Sequence, residues 1–302
     1  MSAISLSRSV SNMPLDANQL NDLGNELMDS GKINEAVSAF RQAIAAAPKW
    51  SAPWYNLGLL HKYQLEWQES ATCNQRAIDL DASNEAAWWN LGIAATALGD
   101  WALARRAWRG FGISVPDGDG PLDLGYGPVP IRLDPQGVGE VVWCTGLDPA
   151  RAVISSVPLP ASPYREGDTV LHDGAPEGTR TFNGKQVGVF NVLQLLHPSP
   201  RNTCEAWLIA VSESDITQLI NIAAVSLIVV EDWTQTVRMI CRQCSEGTPH
   251  PAHEPEVASW QPRRHVGLSA DSIQQASSVL VQWASALESR QVLECRLIAR
   301  PV

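Results

Sequence analysis

Long apolar runs are missing from this sequence of 302 residues. The longest apolar region, Ile216 to Val230, is interrupted by Thr217, Gln218, Asn221 and Ser226. It is too short and too polar for a bilayer span of roughly 20 residues. The first fifteen residues hold no continuous apolar stretch and do not read as a signal peptide; residues 1–16 read as a flexible tail. These absences predict a cytoplasmic protein without membrane contact. Positive charge is also short: 22 Lys and Arg stand against 32 Asp and Glu, a net charge of −10. So acidic a chain repels phosphate backbones, which argues against nucleic acid as a partner. The basic exceptions, Arg105, Arg106 and Arg109 and the pair Arg263 and Arg264, read as solvated helix or strand ends. Catalytic signatures are lacking too, with no nucleophile-and-base set, phosphate-cradling glycine loop or dinucleotide fingerprint. The six cysteines, in a reducing compartment, read as free thiols or metal ligands rather than disulfides.

What is present divides the chain into several domains. Its length exceeds one compact core, and 45% hydrophobic with 18% charged residues suits globular units. Residues 17–112 repeat. Leu20-x-x-Leu23-Gly24 recurs as Trp54-x-x-Leu57-Gly58 and again as Trp88-x-x-Leu91-Gly92, each 34 residues on. The first unit continues with Ala36, Phe40, Ala43 and Pro48. Gly24, Gly58 and Gly92 leave room for a facing helix, and Phe40, Trp54, Trp88 and Trp108 fill the gaps between units. Gly31 and Gly99 mark turns. Unit two departs from the pattern at Ser70, Asn74 and Ala82.

In phase and residue type these three units resemble the tetratricopeptide repeat, a pair of antiparallel helices. The resemblance implies a stack whose first helices line a concave groove that binds another polypeptide. Carried over by position, the groove residues are Asn21, Asn25, Tyr55, Asn56, Lys62, Trp89 and Asn90. Asparagine amides donate and accept at once and so grip peptide backbone, while Tyr55 and Trp89 suit apolar anchors. One subtype clamps a chaperone's terminal carboxylate with basic residues. Here those positions hold Asn21, Ala86 and Asn90, which speaks against such a partner.

Residues 113–200 read as a β-rich domain, a small barrel or curled sheet. Short strand-like runs at Glu140–Cys144, Ala152–Val157 and Thr169–Leu171 follow the loop chemistry of residues 116–128. Asn183-Gly184 joins Thr179–Phe182 to Lys185–Val189 as a tight hairpin. His172 beside Asp173 is no dyad by adjacency, because strand neighbours point to opposite faces; with Gly174 following, the stretch reads as a turn. Residues 201–302 alternate strand, helix, strand, strand, helix, strand. That order is an α+β, ferredoxin-like arrangement, in which the uncovered sheet face allows a homodimer. Ser212 to Asp215 has capping-box form.

Within this last unit, an insert over 241–263 holds Cys241-x2-Cys244 and His250-x2-His253. Two thiolates and two imidazoles suit tetrahedral Zn²⁺, and four protein ligands leave no open position for chemistry, so the expected role is structural. The gap between the pairs is shorter than in a zinc finger, and Glu254, Glu256 or His265 could replace one ligand. Redox use of the thiols and chance occurrence are the rival readings. The whole reads as a non-enzymatic adaptor holding a protein or peptide partner. Two alternatives stay open: a bacterial immunity or regulatory protein neutralising one partner, and a zinc-dependent hydrolase recruited by its repeats. Native mass spectrometry of protein purified without chelator is expected to show one zinc per chain. Full zinc retention by the Cys241→Ser, Cys244→Ser double variant would reject the assignment.

Overall fold

The computed structural model describes residues 15–137, 139–234 and 260–300. Six helices come first: α1 (Ala17–Asp29), α2 (Ile33–Ala46), α3 (Ser51–Tyr63), α4 (Trp67–Leu80), α5 (Glu85–Leu98) and α6 (Trp101–Phe111). Local chemistry sets their ends. Asp16 accepts from the Gln19 amide at 2.9 Å, Asn84 from Ala87 at 3.0 Å and Asp100 from Leu103 at 3.0 Å. Each satisfies one of the amides that a helix start leaves without an intrahelical partner. Gly99 closes α5 at φ 70°, a left-handed position that glycine takes without strain.

The recurring glycines explain the recurring fold. A Cβ on Gly24 would lie 2.4 Å from the Phe40 ring, on Gly58 2.6 Å from the Asn74 amide, and on Gly92 2.5 Å from the Trp108 ring. Each unit therefore closes by pressing one large side chain of its second helix onto a bare Cα of its first. Unit two uses a polar plug. Ser70 Oγ donates to the Gly58 carbonyl at 2.8 Å, and Asn74 Nδ2 donates to the Ser70 carbonyl at 2.9 Å. The departures at Ser70 and Asn74 thus occur together, the Asn74 amide nitrogen bonding back to Ser70.

Five strands follow: β1 (Gly127–Arg132), β2 (Val141–Gly146), β3 (Arg151–Ile154), β4 (Thr169–Phe182) and β5 (Lys185–His197). They form a closed barrel in sequence order. Direction alternates in such a meander, so the first and fifth strands run the same way. Closure accordingly uses a parallel pair, Ile131 with Phe190 and Arg132 with Asn191. Ile131, Leu133, Val142, Ile154 and Val170 fill the interior. The β4–β5 hairpin turns at Asn183 and Gly184, both at positive φ, as a two-residue turn demands. The turn expected at 172–174 is corrected here. His172 and Asp173 lie inside β4, whose register shifts around His172 and Pro176, so an irregular strand replaces the break that Gly174 and Pro176 suggested.

The last unit holds β6 (Asn202–Ile209), α7 (Glu213–Val225), β7 (Val229–Asp232), β8 (Arg263–Ala270), α8 (Ile273–Ser285) and β9 (Gln291–Ala299). Its sheet runs β7-β8-β6-β9, with every neighbour antiparallel. Cys204, Ala206 and Leu208 of the central strand pack under Leu219, Leu280 and Trp283 of the two helices. Asp215 accepts from the Ser212 amide at 3.0 Å, and its other oxygen takes Arg290 Nε at 2.8 Å. The opposite sheet face carries Trp207 stacked on His265, centroids 4.3 Å apart. Trp233 ties that face to the barrel by donating to the Val157 carbonyl at 2.9 Å.

Two basic positions are not solvated ends. Arg105 is buried and donates to the Pro116 carbonyl at 3.1 Å, pinning the loop after α6. Arg264 is buried in an ion pair with Asp232. Arg264 finds its acceptor 32 residues back in the chain, whereas Arg105 uses carbonyls of its own helix and of the loop that follows. Among the described residues, no helix is long and apolar enough to cross a membrane.

Gly92→Ala should cost about 1–3 kcal/mol, the usual penalty for overpacking, because Trp108 is fully buried and cannot move aside. Gly120→Ala has nothing within 4 Å of its added carbon and should stay within about 0.5 kcal/mol. Urea unfolding of the two variants checks the difference.

Candidate functional site

The first helices of the three units stand side by side, and their polar residues chiefly meet one another. Asn56 Nδ2 of α3 donates to Asn21 Oδ1 of α1 at 2.9 Å. The Tyr55 hydroxyl bonds the Asn90 side chain of α5, and burial raises its pKa above the ordinary phenol value. Asn21 and Asn90 are themselves buried. These four residues form rungs between neighbouring units. Asn25 remains half-buried on α1.

Lys62 and Trp89 meet the barrel instead. Lys62 Nζ lies 2.8 Å from Asp173 Oδ1 of β4, and the two residues are only 2% and 6% exposed. Asp173 also accepts from the Gly174 amide at 2.7 Å. The Trp89 indole lies so close to Gly174 that a Cβ there would sit 1.6 Å from Nε1. Trp67 Nε1 donates to Gln194 of β5 at 2.6 Å. Around these contacts one apolar cluster runs from Leu91, Ile93 and Trp108 of the repeats to Leu171, Leu193 and Leu196 of the barrel. Over repeats two and three, the chain's own β4–β5 ladder thus occupies the inner face.

Beside this joint the first and second repeats border an open cleft of about 800 Å³. Asp29 at the end of α1, Tyr63 at the end of α3 and Leu65 in the turn after it form one wall; Arg132, Tyr164 and Glu177 belong to the barrel side. Arg132 Nη1 donates to Asn191 at 2.8 Å and Nη2 to the Glu177 carbonyl at 2.6 Å, so it braces the barrel seam from within. Partial burial, then the carboxylates of Asp173 and Glu177, holds the Tyr63 phenol protonated well above its ordinary range. Tyr63, Asp29 and Leu65 were not singled out in the sequence. Only the arrival of the barrel, from a separate part of the chain, makes a wall of them.

Cys241, Cys244, His250 and His253 lie outside the described residues. Among the described residues, no three His, Cys, Asp or Glu side chains group as metal ligands. His265, the alternative ligand, places Nε2 3.1 Å from Glu205 Oε2. Burial pushes the Cys73 and Cys204 thiols up to about 11, which leaves them inert at neutral pH.

Comparison with known proteins places the repeats. The tetratricopeptide-repeat model matches residues 21–61 and 55–108, and the chain carries these repeats. Among solved structures, the second TPR of Spaghetti (RPAP3) bound to the HSP90 peptide SRMEEVD is 25% identical, with 32% of this chain and 89% of that one covered, at TM-score 0.31. The first TPR of the same protein, bound to the same peptide, is 21% identical over 32% of this chain and 76% of that one, also at 0.31. MamA is 26% identical over 32% of this chain and 57% of its own, at 0.31. No curated protein matches the chain.

The Lys62–Asp173 contact yields a stability prediction. Asp173→Ala should cost about 3–5 kcal/mol, since it leaves a buried ammonium without its partner. Combining it with Lys62→Met should recover part of that loss, a coupling of about 0.5–3 kcal/mol. A double-mutant cycle in urea unfolding measures both.

Proposed function

We propose that this chain is a non-enzymatic adaptor that holds another polypeptide, and that its partner lies along α1 and into the cleft beside Tyr63. The observation that carries the reading is that cleft. It is the stretch of repeat inner surface that the barrel leaves open, in a domain type built for polypeptide binding. Of the seven groove residues, Asn25 lies on α1, one turn before Asp29 of the cleft wall, and is half-buried. Asn21, Tyr55, Asn56 and Asn90 support the surface from behind by bonding one another. Lys62 and Trp89 serve the barrel joint.

The remaining parts of the proposal concern the C-terminal unit. We read it as ferredoxin-like, a reading supported by its alternating order of strands and helices and by its antiparallel sheet. We further propose that Cys241, Cys244, His250 and His253 hold a structural zinc, which suits a segment poor in core-forming residues.

Capture from lysate tests the binding surface. The intact chain should retain a partner that the Asn25→Ala, Tyr63→Ala variant loses by tenfold or more, about 1.4 kcal/mol. Leu98→Ala, a substitution of an exposed residue at the end of α5, should leave capture unchanged. Equal capture by all three would reject the cleft as the binding surface.

A further inference from the structure

A second cavity, of about 350 Å³, opens where α5 meets the barrel. Its walls are Trp89, Tyr126, Pro130, His172 and Phe190, with Gly188 contributing backbone alone. An apolar, aromatic space of this size suits a small ring compound. One polar group in it carries no partner. His172 is 5% exposed, and its Nδ1 lies 2.9 Å from the Asp173 carbonyl. A carbonyl only accepts, so Nδ1 bears the proton and Nε2 is a bare lone pair. Among the described residues nothing donates to that nitrogen. Burial also lowers the His172 pKa, which keeps the ring neutral and the lone pair available. Phe190 lies against the same imidazole, centroids 5.5 Å apart.

We propose that this cavity binds a phenol-class ligand, its ring among Trp89, Tyr126 and Phe190 and its hydroxyl donating to His172 Nε2. A phenol hydroxyl gives up its proton in a hydrogen bond more readily than an indole N–H, which favours a phenol over an indole at this acceptor. The apolar walls supply affinity, and the single acceptor supplies selectivity, because a ring lacking the hydroxyl leaves buried polar groups unpaired. The ligand is either a free phenol or the tyrosine of a partner polypeptide. The site does not depend on the reading of the repeat cleft.

Ligand-observed NMR titration of the intact chain tests it, with p-cresol against its isostere p-xylene. The p-cresol should bind roughly fivefold more tightly, the ratio that one net hydrogen bond supplies. His172→Phe should abolish the preference while retaining p-xylene. Val187→Trp, a substitution of a half-exposed residue on the cavity rim, should weaken both ligands at least tenfold; it keeps the test decisive should His172→Phe fail to fold. A capped Gly-Tyr-Gly peptide binding as tightly as p-cresol assigns the site to a tyrosine side chain. Binding of p-cresol with rejection of the peptide assigns it to a small phenol. No saturable binding of p-cresol, an unchanged preference in His172→Phe, or undiminished binding to Val187→Trp would overturn the proposal.

Discussion

The architecture turns on a single buried contact, Lys62 of α3 against Asp173 of β4. Neither charge tolerates burial alone, since an isolated ion in the interior costs several kcal/mol. Each therefore requires the other's whole domain to be in place. The repeats cannot bury Lys62 without the barrel, and β4 cannot bury Asp173 without the repeats. Apolar packing does the bulk of the work around this pair, where Leu171, Leu193 and Leu196 join a cluster that begins in α4 and α5. The ion pair adds register, because it admits one placement of the strand across the helices.

That joint changes what the repeat surface is for. A stack of helix pairs offers its first helices to whatever extended chain fits them. Here the last two units meet a strand of their own molecule. The polar rungs Asn21–Asn56 and Tyr55–Asn90 then stiffen the stack against its neighbours rather than against a visitor. What stays open is the cleft between Asp29 of the first repeat, Tyr63 and Leu65 of the second, and the barrel. The barrel is thus a middle piece with two attachments. It clamps the helices through β4 and β5 and grips the C-terminal sheet through Val157, which donates its amide to Glu231 and accepts from Trp233.

Adjacent residues on β4 show how one strand serves two environments. Asp173 meets the lysine of the repeats, while His172 lines the aromatic cavity. Alternation along an extended backbone requires this. The two side chains accordingly point into different surroundings, although the segment is a strand and not the turn its Gly174 suggested.

Local and periodic features were legible from the sequence alone. The 34-residue recurrence announced helix pairs because each bare glycine and its bulky partner repeat at fixed spacing, and steric fit between adjacent helices is a short-range matter. The hairpin at Asn183-Gly184 was equally readable, since two positive φ angles select those residues. Partnership across the chain was not. Nothing near Lys62 marks Asp173, 111 residues away, as its counterion, and nothing near Arg264 marks Asp232. The groove was visible as a surface, but its occupancy was decided by tertiary structure. A side chain's chemistry is written in the sequence, whereas the group that satisfies it is chosen by the whole fold.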